Sequence, residues 1–298
     1  KPDLVVAHSS LVGGEAVEVL KSARRAEIPT LLQPSSFDTL CTKGSPLVPV
    51  DGLLVWGEVS KQHAVERHGF RPEHVHVVGA TQFDVYASPV DGQVYPGRNA
   101  YVLVAGTSIA YWASEVELVR QLSDLWAKGG LEPPGILYRP HPWRGQRRMA
   151  EVAGLPGVTF SDPTPTSTML AYRWAVADAA CVVSAFSTMC LEGALLGKPV
   201  FLVGFGESTG GQEGGGARMP LLQHAKFEHM LALLDLPSVR LCRSWEELAE
   251  GLTQVAHGHV DWSAVAESAV RAQRIVRCDG LARERICSAI EAVARVRR

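Results

Sequence analysis

The chain has 298 residues, of which 46% are hydrophobic and 20% charged, a composition typical of a globular protein large enough for two domains. Its formal net charge of −2 excludes an overall electrostatic attraction to nucleic acid or to an anionic membrane. Because no run of about 18 apolar residues is present, we expect no membrane-spanning helix and at most peripheral membrane association. Its six cysteines include no CxxC pair and several lie within apolar runs, which indicates reduced thiols in a cytoplasmic protein and argues against a zinc site.

The first third of the chain alternates strands and helices. The predicted strands are Leu4–Ala7, Ile28–Leu32, Leu53–Trp56 and Val75–Val78, and the predicted helices are Gly14–Ala26 and Ser60–His68. Residues 88–99 contain two prolines and two glycines and form the predicted linker. Since the chain opens directly on an apolar strand, we expect further sequence upstream of Lys1.

The remainder of the chain repeats the alternation. The predicted strands are Tyr101–Ala105, Ile136–Tyr138, Val158–Phe160, Cys181–Val183, Val200–Val203 and Val239–Cys242. The predicted helices are Trp112–Lys128, Arg147–Val152, Ser187–Leu196, Ser244–Val255, Trp262–Ile275 and Leu281–Val296. Strands that alternate with helices of this length indicate α/β domains with parallel sheets. We therefore predict a partial first domain with linker at 1–97, a second domain at 98–280 and a C-terminal helix at 281–298.

A hydroxyl-rich turn joins the strand ending at Val183 to the next helix. Ser184, Ser187 and Thr188 crowd the point where that helix begins, and Glu192 lies one turn further on the same face. A helix N-terminus offers unpaired N–H groups and a positive dipole end, so hydroxyls beside it make a phosphate site. A carboxylate such as Glu192 could accept hydrogen bonds from ribose hydroxyls. The alternative is an ordinary βαβ unit whose serines only cap the helix.

Two further strand ends of the second domain carry residues suited to a phosphate. Gly106, Thr107 and Ser108 follow its first strand, and Arg139 and His141, each followed by a proline, end the next one. Backbone N–H groups, hydroxyls and a fixed cation are what a nucleotide mono- or diphosphate requires. Because ligands of α/β proteins bind at the carboxyl ends of parallel strands, we predict that these three segments form one site.

The same segments carry a family resemblance. Tyr138-Arg139-Pro140-His141-Pro142 resembles the HP motif of bacterial sialyl- and Kdo-type transferases, and 184–188 resembles their paired Ser/Thr motif. Residues 192–199, EGALLGKP, resemble the ribose-binding helix of GT-B glycosyltransferases and of UDP-N-acetylglucosamine 2-epimerases. The resemblance is to bacterial capsule and cell-wall polysaccharide transferases. It implies two Rossmann-like domains facing a cleft, of the GT-B type, with an incomplete N-terminal domain.

The resemblance also implies an activity, namely transfer of a sugar from a nucleotide-activated donor to a polysaccharide or glycolipid. Gly106, Thr107, Ser108, Arg139, His141, Ser184, Ser187, Thr188 and Glu192 would then bind the nucleotide and its phosphates. His141 would assist the leaving group, and the base would come from the first domain. His8 and Glu15 are the first candidates for that base and Asp38 is the third. Since the sequence has no DxD triplet, we expect metal-independent catalysis with no cofactor beyond the donor substrate.

Several alternatives remain open at this point. A nucleotide-sugar 2-epimerase would share the fold and the Glu192 helix, although the Ser-Gly-Gly turn of that family is replaced here by 184–187, SAFS. A CDP-glycerol-type polyol-phosphate transferase would fit the same phosphate turn. A non-catalytic GT-B module that only binds nucleotide would fit it too. Two other features receive no catalytic role. We interpret Arg144, Arg147 and Arg148 as a solvated basic face, and Gly210–Gly216 as a loop near the cleft.

Overall fold

The computed structural model describes residues 2–9, 14–42, 44–87, 101–107, 112, 114–129, 135–141, 145–160, 169–208 and 219–295. The chain separates into two compact units, the first made of Lys1–Ser88 with Arg271–Arg298 and the second of Pro89–Val270. The sequence had assigned 98–280 to one domain and 281–298 to a separate helix, whereas the structure groups all of 271–298 with the first unit. The predicted linker 88–99 and the loop 210–216 both lie wholly outside the described residues.

The regular elements are numbered in chain order. The strands are β1 (Val5–Ser9), β2 (Thr30–Pro34), β3 (Gly52–Val55), β4 (Val75–Val77), β5 (Val102–Ala105), β6 (Ile136–Arg139), β7 (Val158–Phe160), β8 (Cys181–Ser184), β9 (Val200–Val203), β10 (Glu207–Ser208), β11 (Met219–Pro220) and β12 (Val239–Cys242). The helices are α1 (Gly14–Arg25), α2 (Thr39–Thr42), α3 (Glu58–His68), α4 (Asp84–Ala87), α5 (Glu115–Ala127), α6 (Gly145–Val152), α7 (Met169–Ala177), α8 (Thr188–Leu195), α9 (Glu228–Leu234), α10 (Trp245–Ala256), α11 (Trp262–Ala272) and α12 (Ala282–Arg295). No described helix has the length and apolar character needed to cross a bilayer.

The first unit is built on a parallel sheet of four strands in the order β1-β2-β3-β4. One face of this sheet packs through Leu32 and Leu53 against apolar residues of α1 and α3. The other face packs through Leu31 and Leu54 against α12, where Ala289 is buried. Because a parallel sheet must bury both faces, the C-terminal helix completes the core of this unit.

The second unit is built on a parallel sheet of six strands in the order β12-β9-β8-β5-β6-β7. The chain leaves β5 for β6 and β7 on one side and then returns to β8 on the other. This reversal between β5 and β8 is a topological switch point, the place where ligands bind in open α/β sheets. The four-stranded and six-stranded sheets are both parallel, so the α/β class predicted from the sequence is confirmed.

Candidate functional site

The predicted phosphate-binding segments leave the six-stranded sheet side by side. In the sheet register Ala105 of β5 pairs with Arg139 of β6 on one side and with Ser184 of β8 on the other. The backbone after each of these three positions therefore emerges at the same edge of the sheet. The structure brings Gly106 and Thr107, His141, and the turn before α8 to the switch point between β5 and β8. Ser108 lies outside the described residues.

The hydroxyl groups of the turn before α8 form a short chain of hydrogen bonds. Ser184 is fully buried, and its Oγ donates to the carbonyl oxygen of Ala105 at 2.7 Å and lies 2.8 Å from Ser187 Oγ. Ser187 is the N-cap of α8, and its Oγ accepts from the backbone N–H of Met189 at 3.3 Å. Both serine hydroxyls thus fix the start of the helix. The hydroxyl of Thr188, the first helical residue, has no hydrogen bond to any described residue.

Arg139 lies against the first turn of the same helix. Its Nη1 is 3.3 Å from Met189 Sδ, and its guanidinium carbon lies 3.7 Å from the centre of the Tyr172 ring. Its Nε is buried without a hydrogen-bond partner, and within the described part of the chain no carboxylate forms an ion pair with it. A partly buried cation that lacks a counter-ion beside a helix N-terminus is suited to bind an anion.

His141 is half-buried two residues beyond Arg139. Burial is the largest cause that lowers the pKa of this histidine, followed by the positive charges of Arg148 and Arg139. The ring is therefore neutral at neutral pH. A neutral imidazole has one N–H donor and one nitrogen acceptor, so His141 can hydrogen-bond an anion without adding charge.

Glu192 occupies the second turn of α8, as the sequence indicated. It is only 8% exposed, so its carboxylate is largely covered by the protein. The position agrees with the helix predicted from the EGALLGKP segment, and the ribose contact stays a prediction.

A buried charged cluster supports the backbone at the end of β5. Glu115, the first residue of α5, is fully buried and forms an ion pair with Arg148 of α6. Its carboxylate also accepts from the Tyr138 hydroxyl at 2.5 Å and from the Thr107 backbone N–H at 2.9 Å. The Arg148 guanidinium in turn donates to the carbonyl oxygens of Thr107 at 3.4 Å and of Trp112 at 3.2 Å.

The interpretation of Arg148 as part of a solvated face is wrong. Only 6% of the residue is exposed, because it pairs with a carboxylate that is itself fully buried. Arg147 does lie on the surface, where it pairs with Glu151 one turn away, and Arg144 is outside the described residues. The sequence analysis also missed Glu115. It takes an inward helical position with Leu118, Val119 and Leu122, so a charge in that apolar row was the signal that could have found it.

The three candidate bases of the first unit, His8, Glu15 and Asp38, differ in their exposure and contacts. His8 and Glu15 are exposed, and no hydrogen bond or ion pair joins either side chain to another described residue. Asp38 directly precedes the short helix α2, and its carboxylate accepts from the Thr42 hydroxyl of that helix at 3.1 Å. Across the described residues no group of three His, Cys, Asp or Glu side chains is arranged to hold a metal ion.

No protein-family model matches the chain, and no curated protein matches it by sequence. Solved structures do match. The MnaA–UDP structure of S. aureus superposes with a TM-score of 0.60 at 13% identity, covering 98% of this chain and 74% of that one. A UDP-GlcNAc 2-epimerase from Neisseria meningitidis bound to UDP-GlcNAc gives 0.59 at 13% identity, with 97% and 76% covered. The glycosyltransferase of kitacinnamycin gives 0.58 at 12% identity, with 99% and 76% covered. At such identities the likeness establishes the fold, two Rossmann-like units of the GT-B type.

Proposed function

We propose that the second unit binds the nucleotide of an activated sugar and that the chain transfers this sugar to an acceptor hydroxyl. The observation that carries the proposal is Arg139, a partly buried guanidinium without a counter-ion among the described residues, lying against the first turn of α8. Together with the Thr188 hydroxyl and the positive end of the helix dipole, it offers positive potential and donors at one point.

This arrangement suits the chemistry of sugar transfer. The bond between sugar and phosphate breaks with positive charge on the sugar and negative charge on the leaving phosphate. Donors already in place where the negative charge develops lower the barrier, because no reorganisation is needed during the reaction. Arg139 would carry the main charge interaction, and the neutral ring of His141 would add a hydrogen bond or a proton. We propose that these residues replace a metal ion, so that transfer proceeds in the presence of a chelator.

The acceptor side of the reaction rests on the resemblance alone. We propose a polysaccharide or glycolipid hydroxyl as acceptor and His8 or Glu15 of the first unit as its base. Both side chains are exposed, and a base must reach the acceptor proton within about 3 Å once substrate is bound.

Isothermal titration with UDP, CDP, CMP and GDP, on the wild type and on Arg139→Ala, tests the nucleotide site. We expect one of these nucleotides to bind and Arg139→Ala to weaken it by roughly 10- to 100-fold, the value of a charge-assisted hydrogen bond of about 1.5–3 kcal/mol. Arg147→Ala is the matched control, because Arg147 is an exposed arginine whose partner is Glu151 on the same helix. Absence of binding by the wild type to all four nucleotides would contradict the proposal.

A 2-epimerase is the second candidate, favoured by the fold likeness to enzymes whose names state that activity. Incubating the protein with UDP-GlcNAc in D2O and following proton NMR separates the two. An epimerase exchanges the proton at C2 of the sugar without an acceptor. A transferase leaves that proton in place and releases UDP only when an acceptor is supplied.

A further inference from the structure

The charged cluster beneath the end of β5 has features that packing alone does not explain. Glu115 is fully buried, yet three different donors meet its carboxylate: the Tyr138 hydroxyl, the Thr107 N–H and the Arg148 guanidinium. A buried ion pair of this kind costs desolvation energy, and a well-packed apolar pair is often at least as stable. What an apolar pair cannot do is fix the direction of backbone N–H and carbonyl groups.

The backbone held by the cluster belongs to the candidate phosphate-binding segment. The Glu115 carboxylate accepts a hydrogen bond from the backbone N–H of Thr107, and the Arg148 guanidinium donates one to the backbone carbonyl of Thr107. Both backbone polar groups of Thr107 are therefore bound by the same ion pair. Gly106 lies so close to the Glu115 carboxylate that a Cβ at this position would collide with its oxygen atoms. This close contact restricts the backbone conformation of the segment after β5. The segment begins beside Arg139 and Ser184, because both pair with Ala105 in the sheet.

The cluster also reaches the candidate site electrostatically. Arg148 is one of two positive charges that act on His141, and Arg139 is the other. Of the remaining titratable groups in the described cluster, Glu115 and Tyr138 both interact with Arg148. Although burial opposes it, the ion pair with Glu115 raises the pKa of Arg148, so this charge persists at all physiological pH values.

We infer that Glu115 and Arg148 are positioning residues of the candidate nucleotide site. They hold the Gly106–Thr107 backbone in the conformation that meets the nucleotide, and they keep a guanidinium charge near His141. The inference rests on the proposed function, because it names the residues that shape the same site. Neither residue contacts the nucleotide itself.

The test uses two substitutions of Arg148 with two controls on the same helix. Arg148→Lys keeps a positive charge but loses the planar donors that reach two carbonyl oxygens. Arg148→Met removes the charge as well. Arg147→Lys and Arg147→Met are the matched controls, one residue away and exposed. Leu122→Ala, which opens the apolar core beside the cluster, is the control for lost stability alone.

Three quantities are measured on the full chain: the dissociation constant of the nucleotide that binds the wild type, the exchange rate of the Thr107 amide proton, and the NMR titration of His141. We expect both Arg148 variants to weaken nucleotide binding by about 5-fold or more and to speed exchange at Thr107. We expect the pKa of His141 to rise in Arg148→Met, which removes a positive charge, and to be unchanged in Arg148→Lys, which keeps it. The Arg147 variants should match the wild type in all three.

Two results would overturn the inference. One is wild-type affinity in an Arg148 variant that remains folded. The other is an equal loss of affinity in Leu122→Ala, which would reduce the cluster to an ordinary contributor to stability. If the wild type binds no nucleotide, the proposed function fails by itself. The amide exchange rate of Thr107 and the pKa of His141 are both measured without ligand. They then decide whether Glu115 and Arg148 hold the Thr107 backbone and whether the Arg148 charge acts on His141.

Discussion

The carboxyl-terminal edges of the two parallel sheets differ in how they hold their polar side chains. At the edge of the six-stranded sheet, Ser184 and Glu115 are fully buried and each makes specific hydrogen bonds to backbone at the end of β5. At the edge of the four-stranded sheet, His8 is exposed and contacts no described polar group. Buried polar groups are costly unless paired, so a protein retains them where a fixed geometry is required. The difference is consistent with the proposal that the second unit, and not the strand end at His8, is preorganised for an anion.

The largest expected effect that tests this comparison concerns stability. Glu115→Ala leaves the Arg148 guanidinium buried without its partner, and such a change costs about 3–5 kcal/mol. In the first unit, Asp51 accepts from the N–H and the hydroxyl of Thr30, but Asp51 is exposed, so Asp51→Ala should cost only about 0.5–1.5 kcal/mol. Differential scanning calorimetry of both variants measures the difference. Asp51 lies at the amino-terminal end of β3, so equal losses would remove the contrast between a buried polar group of the second unit and an exposed one of the first.

A smaller effect concerns nucleotide affinity. We expect His141→Ala to weaken binding of the nucleotide by about 2- to 10-fold, the value of one neutral hydrogen bond. We expect His8→Ala to change the dissociation constant by less than about 2-fold, because its ring is exposed and belongs to the first unit. Isothermal titration of both variants measures these dissociation constants. A larger loss of affinity in His8→Ala than in His141→Ala would indicate that the nucleotide binds to the first unit.

The smallest effect is a pH dependence of stability in the second unit. Burial lowers the pKa of His224, whose Nε2 lies 3.0 Å from Ser208 Oγ, and burial is also the main cause of the lowered pKa of His141. As the pH falls below about 6.5, these two histidines become protonated in the unfolded chain while they stay neutral in the folded protein. The free energy of unfolding therefore decreases from pH 7 towards pH 5.

Melting temperatures between pH 7.5 and pH 5 check this dependence. His224→Gln should flatten the slope, whatever its effect on stability at pH 7.5, and the exposed His257 provides the control substitution. An unchanged slope in His224→Gln would show that this ring is not among the groups that take up protons on unfolding.

Much of the fold was predictable because local periodicity specifies it. The predicted helix 187–196 is observed as Thr188–Leu195, and the predicted helix 281–296 as Ala282–Arg295. Helix α7 was missed, since its sequence MLAYRWAVA is apolar on most sides and lacks the helical period that marks a half-buried helix. The sequence also could not tell which sheet α12 covers, because one apolar helical face fits either.

The site was predictable only in part, for a related physical reason. The positions of Arg139, Ser184 and Ser187 in the fold were predictable because each stands at a strand end or a helix start, which the sequence reveals. Glu115 and Arg148 are 33 residues apart in the chain, and only the folded packing of α5 against α6 turns two ordinary surface residue types into a buried pair. Burial of a charge depends on its partner, and sequence periodicity does not identify partners.

The return of residues 271–298 to the first unit has a consequence for synthesis of the chain. The second unit is one continuous stretch, whereas the first is completed by residues that are translated only after that stretch. At the usual 5–20 residues per second, the ribosome needs roughly 10–35 s to translate the intervening segment. During that time Leu31, Leu54 and Val78 have no α12 to cover them. The nascent first unit therefore exposes an apolar face of its sheet until α12 has been synthesised.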